Sequence, residues 1–150
     1  MAQTLVSLMV HVVFSTKNRQ PLITPVVEPE LFAYMGGTAK NLDSHCLAAG
    51  GTENHVHLLV SQSKKVPLCH LMEELKKSSS KWIKTKASAF RTFGWQDGYG
   101  AFTVGQSQVD ALKLYIAGQK ERHKRQTFEQ EFMLLLKKYH VQYDERYLWS

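Results

Sequence analysis

Two histidines, His55 and His57, stand at alternate positions inside the apolar run Val56, Leu58, Leu59 and Val60, and further along the chain Tyr115 is followed four residues later by Gln119. If the histidines lie in a β-strand, alternate side chains share a face and both rings can aim at one metal ion. If Tyr115 and Gln119 lie in a helix, they face the same way, so the phenol could act as a nucleophile and the amide oxygen as a third ligand. These are the parts of a metal-assisted phosphoryl-transfer site. Taken singly they are ordinary: paired histidines occur on many surfaces, and a helical tyrosine is usually a packing residue.

The surrounding elements must position these groups. From Val6 to Phe14 the even positions Val6, Leu8, Val10, Val12 and Phe14 are apolar, while Ser7, Met9, His11, Val13 and Ser15 fall on the odd face, which predicts a strand with one core face. A polar loop follows at Lys17-Asn18-Arg19-Gln20-Pro21. Pro29 and Glu30 open a helix carrying Leu31, Tyr34, Met35 and Leu42, which Gly36-Gly37 weakens without ending. Cys46 to Ala49 reads as a short second strand, Gly50-Gly51-Thr52-Glu53-Asn54 as turn chemistry and His55 to Gln62 as a third strand, the two strands forming a hairpin.

After Pro67, the residues Leu68, Leu71, Met72, Leu75, Ser79, Trp82 and Ile83 trace a helical stripe, with Glu73, Glu74, Lys76 and Lys77 on the wet side. Gly98 to Gly105, aromatic and β-branched between glycines, suits a fourth strand. Ser107-Gln108-Val109-Asp110 reads as a capping box opening a helix through about Arg122, and Thr127-Phe128-Glu129-Gln130 caps another with Phe128, Phe132, Leu135 and Leu136 as its buried stripe. The order β-α-β-β-α-β followed by two helices is an α+β, ferredoxin-like arrangement, an antiparallel sheet with two helices on one side and the other face open. RNA-recognition modules share it, so the fold alone selects no function.

On the third strand, Val56, Leu58 and Val60 form the set that helices should cover, which leaves His55 and His57 on the open face, within reach of an ion and a substrate. On the helix after Ser107, about 3.6 residues per turn gathers Gln108, Tyr115, Gln119 and Arg122 on one side, beside the apolar flank Val109, Leu112 and Ile116. That flank can dock the helix so that its polar side meets the histidines.

At 150 residues and 43% hydrophobic, the chain suffices for one packed core, so residues 1–150 are expected to form a single domain. The 19 Lys and Arg against 13 Asp and Glu give a formal charge of +6, which favours a polyanionic partner. Cys46 and Cys69 form no C-x-x-C pair, which points to a reducing cytosol and away from a structural zinc cluster. No basic stretch precedes the apolar residues of Met1 to Val13 and no run approaches a membrane-spanning length, so a cytoplasmic protein without a membrane partner is expected. The absence of G-x-x-x-x-G-K-[ST] argues against a nucleotide cofactor.

Ordered blocks with matching separations carry more information than any one motif. They are Val13-Phe14-Ser15-Thr16-Lys17-Asn18-Arg19, His55-Val56-His57-Leu58-Leu59-Val60, Lys77-Ser78-Ser79-Ser80-Lys81-Trp82, Gly98-Tyr99-Gly100-Ala101-Phe102-Thr103-Val104, Tyr115-Ile116-Ala117-Gly118-Gln119 and Tyr143-Asp144-Glu145-Arg146-Tyr147-Leu148-Trp149. Through them the chain resembles the HUH single-tyrosine transposases of the smallest bacterial insertion sequences, together with their REP-associated relatives. The resemblance covers nearly the whole chain.

The resemblance implies that His55 and His57 are paired metal ligands, Gln119 the third protein ligand and Tyr115 the nucleophile, with Mg²⁺ or Mn²⁺ as cofactor. It implies cleavage and rejoining of single-stranded DNA at hairpin-marked ends through a 5′-phosphotyrosine. A homodimer is also implied, with joined sheets and a tyrosine helix able to complete the partner's site, repositioned at Gly105 and at Arg122 to Gln126. Lys17, Arg19 and Lys81 are expected phosphate contacts, and Arg122, nearly beneath Tyr115 on its helix, is an added candidate for the phosphate or the departing phenolate. Two departures stand out: Asn54 where many relatives have Asp, and Gly118 where they commonly hold Asn.

Four rival readings compete, the first an RNA-recognition module of the same topology, which would display aromatic residues on its central strands where this chain places His55 and His57. A catalytically silent hairpin-DNA-binding protein predicts damage to His55, His57, Tyr115 or Gln119, and all are present. A REP-associated palindrome-processing nuclease would carry the same residues. A two-histidine phosphodiesterase needs a second H-x-[ST], which neither His11-Val-Val nor His140-Val-Gln supplies.

Overall fold

Alternation along two adjacent strands divides the molecule into layers. The structure, a computed structural model describing residues 2–150, runs β1 (Met9–Ser15), α1 (Glu28–Asn41), β2 (His45–Thr52), β3 (His55–Ser61), α2 (Leu68–Ile83), β4 (Gly100–Thr103), α3 (Val109–Ala117), α4 (Gln119–Arg122), α5 (Phe128–Lys138) and α6 (Glu145–Leu148). The four strands lie in the order β2-β3-β1-β4 with every pairing antiparallel. This is the expected ferredoxin-like sheet with helices appended at the C-terminal end.

Register pairs Val12 with Leu58 and Phe14 with Val56, so the even positions of β1 and β3 project together. There Val12, Phe14, Val56, Leu58 and Val60 form one buried core with Leu31, Met35 and Ala39 of α1 and Leu71, Met72, Leu75 and Ile83 of α2. Each fully buried large aliphatic or aromatic side chain in such a core contributes about 1.5–3 kcal/mol. The stripe read after Pro67 is therefore the face by which α2 packs.

The opposite sheet face is not open, contrary to the sequence expectation. Leu59 is buried with Val109 and Ile116 of α3, while Val13 and Phe102 are buried with Phe128, Phe132, Leu135 and Leu136 of α5. The reason is that the odd face also carries apolar residues, and the apolar stripes of α3 and α5 need a surface to cover. His55 and His57 consequently have 0% exposure.

Close approach of this second helical layer depends on two strand glycines. A Cβ at Gly50 would lie 2.2 Å from the Ile116 carbonyl oxygen, and one at Gly100 would lie 2.7 Å from the Phe132 ring. Gly50 and Gly51 thus belong to β2, which continues to Thr52 and leaves only Glu53-Asn54 as the turn. At the other end β1 begins at Met9, where its register with β3 stops at Ser61, and Val6 and Leu8 are exposed.

The helix ends also differ in part. A 3₁₀ turn over Gln106–Gln108 precedes α3 without any side-chain cap, because the chain is already wound there and Ser107 cannot take the extended conformation that a capping residue needs. The helix expected to reach Arg122 is interrupted at Gly118, whose φ of −91° and ψ of 13° leave the helical region. The capping box of α5 is present, with Gln130 N donating to Thr127 Oγ1 at 3.1 Å and Thr127 N donating to Gln130 Oε1 at 3.0 Å. Among the described residues no helix is long and apolar enough to cross a membrane.

Candidate active site

β3 lies between β2 and β1, and its odd positions carry His55 and His57 beneath the second helical layer. Val109 and Ile116 seat α3 on that face, which leaves Tyr115 half-buried at its margin. Just past the Gly118 interruption, Gln119 is buried at 1% exposure rather than solvated. From the far side α5 brings Glu131, 2% exposed and flanked by the buried Phe128 and Phe132.

These groups meet. Gln119 Oε1 lies 2.9 Å from His55 Nε2, and Gln119 Nε2 donates to Glu131 Oε2 at 2.9 Å. Glu131 Oε1 lies 3.0 Å from His57 Nε2 and 3.5 Å from His55 Nε2. The Tyr115 hydroxyl donates to Glu131 Oε2. His123 Nε2 joins the cluster at 3.0 Å from Gln119 Oε1 and 2.9 Å from Glu131 Oε1. Ligand atoms of His55, His57 and Glu131 all lie within 4.8 Å of one another, so this buried group could hold a metal ion.

A second ring of contacts orients the histidines. His11 Nε2 is 2.8 Å from His57 Nδ1, with the two rings stacked. Thr52 Oγ1 and Asn54 Oδ1 each lie 2.9 Å from His55 Nδ1. Held by Nδ1, each ring turns Nε2 toward the cluster, as metal-binding imidazoles do. Asn54 reaches the nitrogen through the oxygen of an uncharged amide.

The family described as Transposase IS200 like matches residues 4–119, a span that includes both histidines, Tyr115 and Gln119. The chain belongs to the IS200-like transposase family. Two solved structures share the fold of this transposase. A protein from Deinococcus radiodurans R1 designated a transposase is 19% identical, with a TM-score of 0.62, covering 77% of this chain and 93% of its own. A REP-associated tyrosine transposase bound to a REP hairpin is 12% identical, with a TM-score of 0.57, covering 77% of this chain and 68% of its own. Comparison with curated proteins finds no match.

Burial governs the electrostatics of the candidate site. It lowers His55 and His11 from 6.5 to about 3, with the neighbouring His57 adding to the effect in each case. It would raise the Glu131 carboxyl, but hydrogen bonds from His123 and His57, the proximity of His57 and the hydrogen bond from Tyr115 outweigh it and hold the group below the usual carboxylate range. The Tyr115 phenol is pushed above its ordinary value by burial and then by Glu131, with Arg122 and Gln119 opposing.

The remaining expected residues divide by location. The Arg122 guanidinium lies 4.4 Å from the centroid of the Tyr115 ring, a cation–π contact. Arg19 donates to the Trp149 carbonyl at 3.3 Å and lines a groove of about 590 Å³ with Asn54 and His123. Lys17 is exposed on the loop after β1. Lys81 is exposed on α2 and stands across the sheet from the histidines, because α2 packs on the even face of β3. Sequence reasoning missed Glu131 and His11. The signal for Glu131 was a carboxylate between Phe128 and Leu135, on the stripe that α5 buries.

Proposed function

We propose that this chain is a DNA transposase acting as one domain, which cleaves and rejoins single-stranded DNA at hairpin-marked element ends. Tyr115 is the nucleophile, and His55, His57 and Gln119 hold a divalent cation, Mg²⁺ or Mn²⁺. One observation carries this reading: the Tyr115 hydroxyl, the Gln119 amide and Nε2 of both histidines belong to a single hydrogen-bonded cluster joined through Glu131.

The donor set fits such an ion, since two imidazole nitrogens are joined by hard amide and carboxylate oxygens. When bound, the cation supplies Lewis acidity that polarises the scissile phosphate. Help of that kind is needed because a free phenol with a pKa of about 10 is a poor nucleophile at neutral pH, and Tyr115 is pushed higher still. Attack by its oxygen on phosphorus leaves a 5′-phosphotyrosine and a free 3′ hydroxyl. A second 3′ hydroxyl attacking the same phosphorus releases Tyr115 and rejoins the strands without ATP, because the phosphotyrosine retains the bond energy.

A groove of about 580 Å³ is lined by Tyr115, Gly118, Arg122 and Arg125. The groove bearing Arg19, Lys124 and Arg125 flanks the histidine side. Their cationic side chains suit a phosphate backbone, with Lys17 nearby in sequence. The REP hairpin held by the structural neighbour supports hairpin DNA as a partner, and a homodimer is part of the same reading. Incubation with single-stranded DNA carrying candidate element ends and Mn²⁺ should yield a covalent adduct with the wild-type chain and none with Tyr115→Phe. Equal adduct formation by both refutes the assigned nucleophile.

A further inference from the structure

Glu131 is the only buried carboxylate among the described residues, and it lies beyond residues 4–119, the span that matches the transposase family. A carboxylate is kept out of water only where other groups satisfy both its oxygens. Here the two oxygens have separate surroundings. Oε1 is met by Nε2 of His57 at 3.0 Å, of His123 at 2.9 Å and of His55 at 3.5 Å. Oε2 accepts from the Tyr115 hydroxyl and from Gln119 Nε2. Gln119 is divided in the same sense, its oxygen toward His55 and its nitrogen toward Glu131.

We infer that Glu131 is a fourth protein ligand of the cation through Oε1, and that through Oε2 it is the positioning residue that holds the Tyr115 hydroxyl against the site. The inference rests on the reading of His55, His57 and Gln119 as ligands. Two imidazoles and an amide bring no negative charge to a divalent ion, and hard cations are bound more tightly as charged oxygen ligands are added. Glu131 supplies that charge from α5, whose capping box and buried Phe128 and Phe132 anchor its first turns. One side chain thereby ties the position of the nucleophile to the place of the ion, which is why the carboxylate stands on a face otherwise reserved for packing.

The test separates ligation from catalysis. Purified E131Q, checked for fold by circular dichroism, is titrated with Mn²⁺ alone and followed by electron paramagnetic resonance. At least tenfold weaker binding than wild type is expected, and unchanged affinity overturns the ligand role. Single-turnover adduct formation on single-stranded DNA at saturating Mn²⁺ is expected to stay at least tenfold slower in E131Q, and recovery of the wild-type rate overturns the positioning role. If E131Q does not fold, E131D, which keeps the charge but is one methylene short, is expected to weaken Mn²⁺ binding at least threefold, and unchanged affinity overturns the proposal. A wild-type chain that binds Mn²⁺ but forms no adduct contradicts the nucleophile assignment, while the Mn²⁺ comparison still decides the role of Glu131 as ligand.

Discussion

A neutral imidazole can offer Nε2 to a cation only when its proton sits on Nδ1, and the group facing Nδ1 sets the cost of that tautomer. For His55 that group is the pair Thr52 and Asn54, and for His57 it is His11 Nε2 at 2.8 Å. His11→Leu removes this contact while keeping apolar bulk in a buried position. It is expected to weaken Mn²⁺ binding roughly 10- to 100-fold with the fold retained, as read by titration of the purified variant, and unchanged affinity would show that His57 needs no such support. The histidine pair was legible because its spacing within one strand sets a shared direction, and the Tyr115–Gln119 pair because the break at Gly118 leaves both side chains directed at the same carboxylate. His11 and Glu131 were not, because each is an ordinary polar residue until the elements around it are in place.

The second helical layer approaches the sheet by backbone contact, and Gly50 sits where that contact is closest. An added methyl there would lie 2.2 Å from the Ile116 carbonyl, and a carbonyl within a helix cannot turn aside as a flexible side chain can. Gly50→Ala should therefore displace α3 and the adjacent Tyr115. A stability loss of about 1–3 kcal/mol is expected, typical of overpacking, together with slower adduct formation. Urea unfolding and the single-turnover rate measure the two effects, and a variant normal in both would mean that α3 tolerates the shift. Gly50-Gly51 reads locally as a turn because glycine pairs usually mark one. Its use in β2 depends on a helix that arrives about sixty residues later.

Across the whole molecule, the buried histidines couple stability to pH. His11 and His55 have their folded values lowered from 6.5 to about 3, chiefly by burial. The unfolded chain therefore takes up protons as pH falls below about 6.5, which the folded chain declines until near pH 3, so stability is full above this window and falls through it. With about 1.4 kcal/mol per pH unit for each proton, the slope reaches at most about 3 kcal/mol per unit for the pair. Glu131, held below the usual carboxylate range, adds a loss of the same sign in more acidic solution. Urea midpoints of the metal-free chain should fall between about pH 7 and about pH 5. A constant midpoint would mean that the rings are not buried as neutral groups.

Short-range pattern determined the kind of each main strand and helix and the spacing of His55 with His57 and of Tyr115 with Gln119, while the ferredoxin-like order and the family resemblance came from the succession of such blocks along the chain. The element types and the two pairs depend on residues a few positions apart, where backbone geometry converts spacing into direction. Tertiary structure decided that the odd sheet face is covered, that Gln119 is buried, that Lys81 stands across the sheet from the histidines and that Glu131 joins the cluster. Glu131 and His57 are 74 positions apart, and no local period links them. They meet because α5 must bury its apolar stripe, and the remaining apolar surface of the sheet is beside the histidines.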